Sequence, residues 1–175
     1  MKPLNLLLCL LLCLASATAM AQRRVLPVVD LVNVPVSLAT KKTLTADQVR
    51  AAIVSAALAA EWDVDPQPDG SLRLNVLKDM EYSVAVRATF TPTTYSLAYL
   101  GSENLKTTDP GIFTPDRPGQ ETLSSYATNW RATRGAKQPE APYAVDRAGA
   151  FIHPTYEQLV YELSAGVRRH LHLVP

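Results

Sequence analysis

The sequence predicts an α+β fold, in which an antiparallel sheet of about four to five strands carries two helices on one face. Two segments, 44–60 and 153–173, repeat apolar residues at the spacing of an α-helix. Between them, residues 72–99 alternate apolar and polar side chains in short runs, which indicates strands with one buried face. The expected order is β-α-β-β-β-α, with a long insertion at 106–150 before the last helix.

The N-terminal segment 1–21 has the pattern of a cleavable secretory signal peptide. Its apolar run holds about ten residues, half of what a membrane-spanning helix requires, so an uncleaved anchor is the weaker interpretation. Two small residues, Ala19 and Ala21, occupy the −3 and −1 positions of a cleavage site. We expect a mature chain that begins at Gln22, has 175 − 21 = 154 residues, forms one domain over 22–175 and is periplasmic or secreted.

The positions of the cysteines and the net charge argue against several classes of function. Both cysteines, Cys9 and Cys13, lie in the leucine-rich signal segment, where neither follows the small residues of a lipid-acceptor site. We therefore expect a mature chain with no disulfide, no thiol nucleophile and no lipid anchor, and no stable membrane span after cleavage. Removal of Lys2 with the signal leaves 16 basic and 16 acidic residues, a net charge of 16 − 16 = 0. A nucleic-acid binder would instead carry a basic excess.

The first strand and the first helix are predicted from residues 24–60. Residues 24–36 are rich in β-branched side chains, and Pro27 among them favours an edge position because proline cannot donate to a hydrogen-bond ladder. In the helix, Thr45 and Gln48 have the three-residue separation of a capping box. The alanine-rich sequence that follows is a strong helix former and allows close packing on a sheet.

Three strands are predicted after this helix, at 61–65, 72–76 and 80–90, and residues 95–99 are expected to make a further strand, which accounts for the range of four to five. The third has the clearest alternation in the chain, with apolar side chains at its even positions and mostly polar ones at its odd positions. One face of this strand is therefore expected to be buried and the other wet, as in an antiparallel meander.

The insertion at 106–150 holds five of the 13 prolines and four of the seven glycines. Loops of this length are uncommon in compact domains and are often functional or disordered. A short helix that carries Tyr126 and Trp130 is predicted within it, at 121–133. The final helix begins near Pro154, whose missing N–H costs nothing in a first helical turn.

The wet sheet face supplies one set of candidate binding residues. Arg73 and Arg87 fall on neighbouring predicted strands, where their guanidinium groups could receive an acidic ligand. Cross-strand charge pairing with Glu81 is the alternative, and the sequence favours it. In the loop, Trp130 lies among polar residues and is either a contact residue or an anchor that holds the loop to the body.

A second candidate site lies where the loop meets its flanking elements. Ser102 and Asn104 precede the loop, and His153 and Tyr156 follow it, so the four side chains could line one pocket. Local structural roles are the favoured alternative. In that interpretation the serine and the asparagine end a strand, the histidine caps the last helix and the tyrosine packs into the core.

Motifs for catalysis or cofactor binding do not occur in the sequence. The three histidines lack metal-binding spacing, and there is no nucleophile elbow, no phosphate-binding loop and no dinucleotide fingerprint. We therefore expect no catalytic residue, no metal and no cofactor.

Several short motifs follow one another in a fixed order: E-W-D-V at the end of the first helix, then G-S-L-R-L in a strand. Y-S-L-A-Y-L and S-E-N-L follow the alternating strand, and I-H-P-T-Y opens the last helix. This order resembles a group of small, uncharacterised exported proteins and lipoproteins of Gram-negative bacteria, over residues 44–105 and 152–171. The resemblance implies a periplasmic or envelope location and no established activity. This chain departs from the group in lacking a lipid-acceptor cysteine and in its longer loop.

We interpret the chain as an exported, non-enzymatic binding or envelope-associated module. Its wet sheet face and long loop are the expected contact surface, for an envelope protein or a small ligand. The alternative is a small-ligand pocket or enzyme site between the 106–150 loop and the start of the last helix. A concave site at Ser102, Asn104 and His153 would favour the alternative, and a flat wet sheet would favour the first interpretation.

Overall fold

The computed structural model describes residues 26–105, 107–108 and 139–174, and it has the predicted α+β class. The signal segment 1–21 and most of the long loop, Trp130 included, lie outside the described residues. In chain order the elements are β1 (Leu26–Pro35), α1 (Ala46–Ala59), β2 (Asp63–Pro66), β3 (Leu72–Lys78), β4 (Tyr82–Phe90), β5 (Thr94–Glu103), β6 (Thr107–Thr108), β7 (Ala144–Ile152) and α2 (Thr155–Leu173).

The strands of the described residues form a seven-stranded sheet in the order β2-β3-β4-β5-β1-β7-β6, and all neighbours are antiparallel. The number exceeds the predicted four to five because β6 and most of β7 fall within 106–150, which was expected to be loop. The β7 sequence mixes alanine, glycine and charged residues and lacks a clear alternation. It forms a strand by pairing with β1 along most of its length, a contact that the local sequence does not reveal.

Strand β1 lies inside the sheet, between β5 and β7, so the edge position expected from Pro27 is wrong for the strand as a whole. The β1–β5 pairing runs only from Leu31 to Pro35, and the earlier part of β1 pairs with β7 alone. Pro27 lies in that earlier part, next to an irregularity of register between Pro27 and Val29. A proline is tolerated there because this part of β1 is hydrogen-bonded to a neighbouring strand on one side only and contains a bulge.

The two helices pack against each other and against one face of the sheet. The predicted capping box is present in α1, where the Thr45 N–H donates to Gln48 Oε1 (2.9 Å) and the Gln48 N–H donates to Thr45 Oγ1 (3.2 Å). A Cβ on Gly166 would lie 3.3 Å from the Cβ of Ala56, so glycine lets α1 and α2 approach closely. Within the described ranges, no helix combines the length and the apolarity needed to cross a membrane.

The core lies between the sheet and the helices and takes alternate residues from each central strand. Its members in β3 and β4 are Leu72, Leu74, Val76, Val84, Val86 and Ala88, all at most 1% exposed. The predicted face assignment is therefore confirmed within β4, whereas Met80, which was expected on the buried face, lies in the preceding turn and is 88% exposed. Their neighbours in sequence point to the opposite side, which no helix covers in the described part of the chain, and we call this side the open face.

An irregularity of register in β5 shapes the open face. Ala85 pairs with Gly101 and Val86 pairs with Tyr99, so Leu100 is an extra residue in β5. Such a bulge bends its strand and increases the local twist. The open face is grooved beside this bulge and is not flat.

Candidate functional site

A groove of about 490 Å³ lies on the open face, across β3, β4 and β5. We call it the sheet groove. Its polar lining consists of Gln67, Arg73, Asn75, Ser83, Arg87, Ser102 and Glu103. This volume is within the usual range of small-ligand sites, about 300–1,000 Å³. The sequence pattern predicted the exposure of this face, but neither the groove nor the β5 bulge beside it has a signal in the sequence.

Two arginines form one end of the sheet groove. Arg73 and Arg87 are direct cross-strand partners on β3 and β4, which confirms that they are neighbours. The Nε of Arg73 donates to Asn75 Oδ1 at 3.0 Å, which leaves its terminal N–H groups available. Like charges placed directly opposite each other destabilise a sheet, so the pair costs free energy in the absence of an anion.

The nearby carboxylates do not neutralise this pair by close contact. The predicted partner Glu81 lies in the β3–β4 turn, and the ion pairs of the described residues do not include it. Arg87 Nη1 is 3.9 Å from Asp69 Oδ2, in a pair whose side chains are 48% and 57% exposed, and such pairs contribute little. Hydrogen bonds from Ser71, and more weakly the charge of Arg87, hold the pKa of Asp69 below its ordinary value.

A third acidic side chain, Asp65, lies opposite Arg73 on β2 but is engaged elsewhere. Its Oδ2 accepts a hydrogen bond from Gln67 Nε2 at 2.9 Å. Neither Asp65 nor Asp69 lines the sheet groove. The guanidinium groups of Arg73 and Arg87 are therefore the charged surface that a molecule at this end would meet.

Small residues form the floor of the sheet groove, and a carboxylate lies at its far end. Asn75, Ala85 and Gly101 form one cross-strand row, and a Cβ added at Gly101 would have no atom within 4 Å. Glu103 pairs with Ser83 in the next row. The Glu103 row and the arginine row are four residues apart along β4, which is about 13 Å at the usual rise of a strand.

The four residues that flank the long loop do not converge on one cavity in the described part of the chain: Ser102 lines the sheet groove, and the other three do not. Asn104 is exposed with a φ of 58°, a turn conformation. His153 Nδ1 lies 2.8 Å from Thr155 Oγ1 and accepts from the Thr155 N–H at 3.3 Å, so the ring caps the start of α2. Ser102 and Tyr156 are linked indirectly, through Tyr99.

Tyr99 belongs to a cluster that fills the opening where β1 and β5 separate. Asp30 Oδ1 accepts from the Tyr99 backbone N–H, and Asp30 Oδ2 accepts from Arg147 Nε, both at 2.7 Å. The Tyr156 hydroxyl donates to the Val29 carbonyl at 2.9 Å. These groups complete backbone hydrogen bonds that the split sheet leaves unmade, so the cluster is structural. The one signal of this cluster in the sequence is Asp30, a lone aspartate within an apolar strand.

A second polar cluster is buried between α2 and β5. Ser164 Oγ donates to Glu140 Oε1 at 2.9 Å and contacts the Tyr95 hydroxyl at 2.6 Å, and Arg168 Nε donates to the same carboxylate oxygen. Burial raises the pKa of the Tyr95 phenol well above its ordinary value. Glu140 is fully buried, and it fixes the residues before β7 to the second helix. The sequence did not indicate this cluster, because Glu140 lies in the predicted loop.

Comparisons with known proteins add no assignment: no family model, no curated protein and no solved structure matches this chain. Among the described residues, no group of three or more His, Cys, Asp or Glu side chains is arranged to hold a metal ion.

Proposed function

We propose that this protein is an exported, non-enzymatic binding module of the cell envelope, and that the sheet groove is its binding surface. The observation that carries the proposal is the pairing of Arg73 with Arg87 at one end of a concave surface. The ion pair between Arg87 and Asp69 is long and exposed, so it offsets little of the repulsion between the two opposed guanidinium groups, which favours the binding of an acidic group. The arrangement is easier to explain as a binding site than as a stabilising one.

Binding fits the lining better than catalysis does. The described residues that line the sheet groove include no histidine, cysteine, lysine or tyrosine, so its two serines, Ser83 and Ser102, lack the histidine or lysine base that usually activates a serine nucleophile. Its carboxylate, Glu103, lies about 13 Å from the arginine row, too far to act on a group bound there. In the alternative site, at the end of the long loop, His153 is engaged in capping α2 and Tyr156 is buried.

Export is the second part of the proposal. It depends on the apolar N-terminal run and on the small residues Ala19 and Ala21, the expected recognition positions for cleavage. We expect an exported form that begins at Gln22 and carries no lipid. Intact-mass measurement of the protein recovered from the periplasm or medium tests this, and a retained N-terminal segment or an acyl mass would contradict it.

The experiment that tests the binding surface compares two charge-matched double variants. In the groove variant, Arg73→Ser and Arg87→Ser remove both guanidinium groups from the sheet groove. In the control, Arg50→Ser and Arg169→Ser remove two exposed arginines from the helices. Each protein is crosslinked in its own envelope fraction and recovered. We expect the control to retain the crosslinked partner and the groove variant to lose it. Equal recovery by both variants would contradict the proposal.

A further inference from the structure

The arginine end of the sheet groove is suited to a terminal carboxylate. A guanidinium group presents paired N–H donors that match the two oxygens of a carboxylate. The hydrogen bond from Arg73 Nε to Asn75 restricts the motion of the Arg73 side chain. Its terminal nitrogens are therefore held ready to bind a planar anion. Arg87, the cross-strand partner of Arg73 on the next strand, supplies a second guanidinium group with paired N–H donors. One carboxylate can therefore receive hydrogen bonds from both arginines.

The opposite end of the sheet groove is suited to a cation. Glu103 lines the groove, is exposed and takes part in no ion pair within the described residues. Its cross-strand partner Ser83 carries no charge. An ammonium group would find here an acceptor that is not already committed to another donor.

The middle of the sheet groove fixes the shape of the occupant. Its floor at Ala85 and Gly101 is free of long side chains, and the space above Gly101 is open. The Leu100 side chain lines the groove and offers an apolar surface, 42% exposed. Asn75 lies beside the floor and offers amide donors and acceptors for a peptide backbone. The occupant must span about 13 Å between its charges, along the strand direction.

We infer that the sheet groove binds a short, extended zwitterionic ligand with the chemistry of a free peptide of about four residues. Its terminal carboxylate lies on Arg73 and Arg87, and its terminal ammonium lies at Glu103. Four extended residues span about 13 Å, which matches the separation of the two charged rows. This inference rests on the proposed function and names the ligand class of the same site.

The first test titrates the exported protein with alanine peptides, whose side chains carry no charge, and follows binding by calorimetry. Tetra-alanine should bind more tightly than tri-alanine, which at about 10 Å reaches only one end. Capping either end of tetra-alanine, by N-acetylation or by C-amidation, should weaken binding by about tenfold, because each cap removes one charge-assisted contact. Acetylated and free peptides of equal affinity would overturn the inference.

The second test assigns each end to its residue. Glu103→Gln should bind free and acetylated tetra-alanine equally, and Arg87→Gln should bind free and amidated tetra-alanine nearly equally. The matched controls Glu81→Gln and Arg50→Gln remove the same charges from exposed positions outside the sheet groove and should leave both discriminations intact. Loss of discrimination in a control, or its persistence in Glu103→Gln, would overturn the assignment.

The third test blocks the sheet groove without removing a charge. Gly101→Leu places a side chain in the open space above the floor, at a position that does not need the left-handed backbone region, so the variant should fold. We expect it to lose tetra-alanine binding while its thermal unfolding stays cooperative. Full binding by a folded Gly101→Leu variant would overturn the inference.

The two proposals fail in different ways. If no alanine peptide binds but the groove variant still loses its crosslinked partner, the zwitterion inference is wrong and the binding surface stands. If the groove variant keeps its crosslinked partner, the proposed function itself is wrong.

Discussion

At the scale of single residues, Tyr156 joins the helix layer to the sheet through one hydroxyl group. The side chain is fully buried, its ring contacts Tyr99 edge-on at 5.0 Å, and its hydroxyl satisfies the Val29 carbonyl where β1 and β5 separate. A buried carbonyl that loses its donor retains its desolvation cost. The hydroxyl therefore matters beyond the burial of the ring.

Replacement of Tyr156 by phenylalanine tests this contact. We expect Tyr156→Phe to lower the free energy of unfolding by about 1–3 kcal/mol, because it removes the donor and keeps the ring. Tyr82→Phe is the matched control, since Tyr82 is only partly buried and its hydroxyl makes no hydrogen bond within the described residues. Denaturant unfolding of both variants measures the difference, and equal stabilities would show that the hydroxyl contributes nothing.

The two faces of β4 give a second prediction at this scale. Val84 is 1% exposed, so Val84→Ala should destabilise the domain by about 2–4 kcal/mol through lost burial and a residual cavity. Arg87→Ala should cost far less or stabilise slightly, because it relieves the opposition to Arg73. Urea unfolding of the two variants measures this. A loss from Arg87→Ala as large as that from Val84→Ala would mean that the arginine is structurally required.

The face on which a side chain lies was predictable where the periodicity of a single strand decides it. Contacts between residues that are distant in the sequence were not predictable. The period of two along β3 and β4 placed Arg73 and Arg87 on the same exposed face. No local rule connects Asp30 with Arg147, which are 117 positions apart and meet only because β1 pairs with β7. The expected pocket at Ser102 and His153 rested on closeness to the loop ends, and local capping accounts for the histidine instead.

At the scale of elements, the β3–β4 hairpin contains a strained turn. Asp79 and Met80 both adopt positive φ, at 52° and 57°, and the Glu81 N–H donates to the Lys78 carbonyl at 2.9 Å. These values are those of a type I′ turn, which favours glycine at its second central position. Met80 is 88% exposed, so its side chain offsets little of the backbone cost.

Relief of this strain is a direct prediction. Met80→Gly should stabilise the domain by about 0.5–1 kcal/mol, since the left-handed conformation costs other residues about 1–2 kcal/mol and glycine loses part of that gain to chain entropy. Met80→Ala keeps the Cβ and should leave stability nearly unchanged. Thermal unfolding of the two variants provides the measurement. Destabilisation by glycine would show that the methionine side chain makes a stabilising contact.

Elements with strong local signals were predictable, and those stabilised by pairing were not. The capping box of α1 and the alternation of β4 each carry their information within a few residues. The β7 strand has no such pattern and depends on a partner more than a hundred residues earlier, at Asp30 and Leu31. The position of β1 inside the sheet was missed for the same reason. Pro27 indicates only that the first part of the strand pairs on one side, and it carries no information about the later part, which pairs on both.

At the scale of the whole molecule, the sheet is divided into two paired blocks. Strands β2 to β5 form one block and β1, β7 and β6 form the other, and β1 pairs with β5 only between Leu31 and Pro35. Two buried phenols lie near this junction, Tyr95 beside Ser164 and Tyr156 beside Val29. The helix layer is thus bonded to both sides of the division, and we expect the blocks to unfold together.

These phenols make the stability of the whole domain depend on alkaline pH. Burial is the main cause that raises the pKa of both Tyr95 and Tyr156 well above the ordinary phenol value of 10.0. A raised pKa means that the folded state keeps a proton that the unfolded state releases, so the stabilisation is complete below pH 10 and is lost as the pH rises further. Each such group lowers the free energy of unfolding by about 1.4 kcal/mol per pH unit in that range. Denaturant unfolding at a series of pH values should therefore show a decline that begins near pH 10, and Tyr95→Phe should make it less steep by removing one of the two groups. A flat profile, or an unchanged slope in Tyr95→Phe, would show that these phenols do not control the transition.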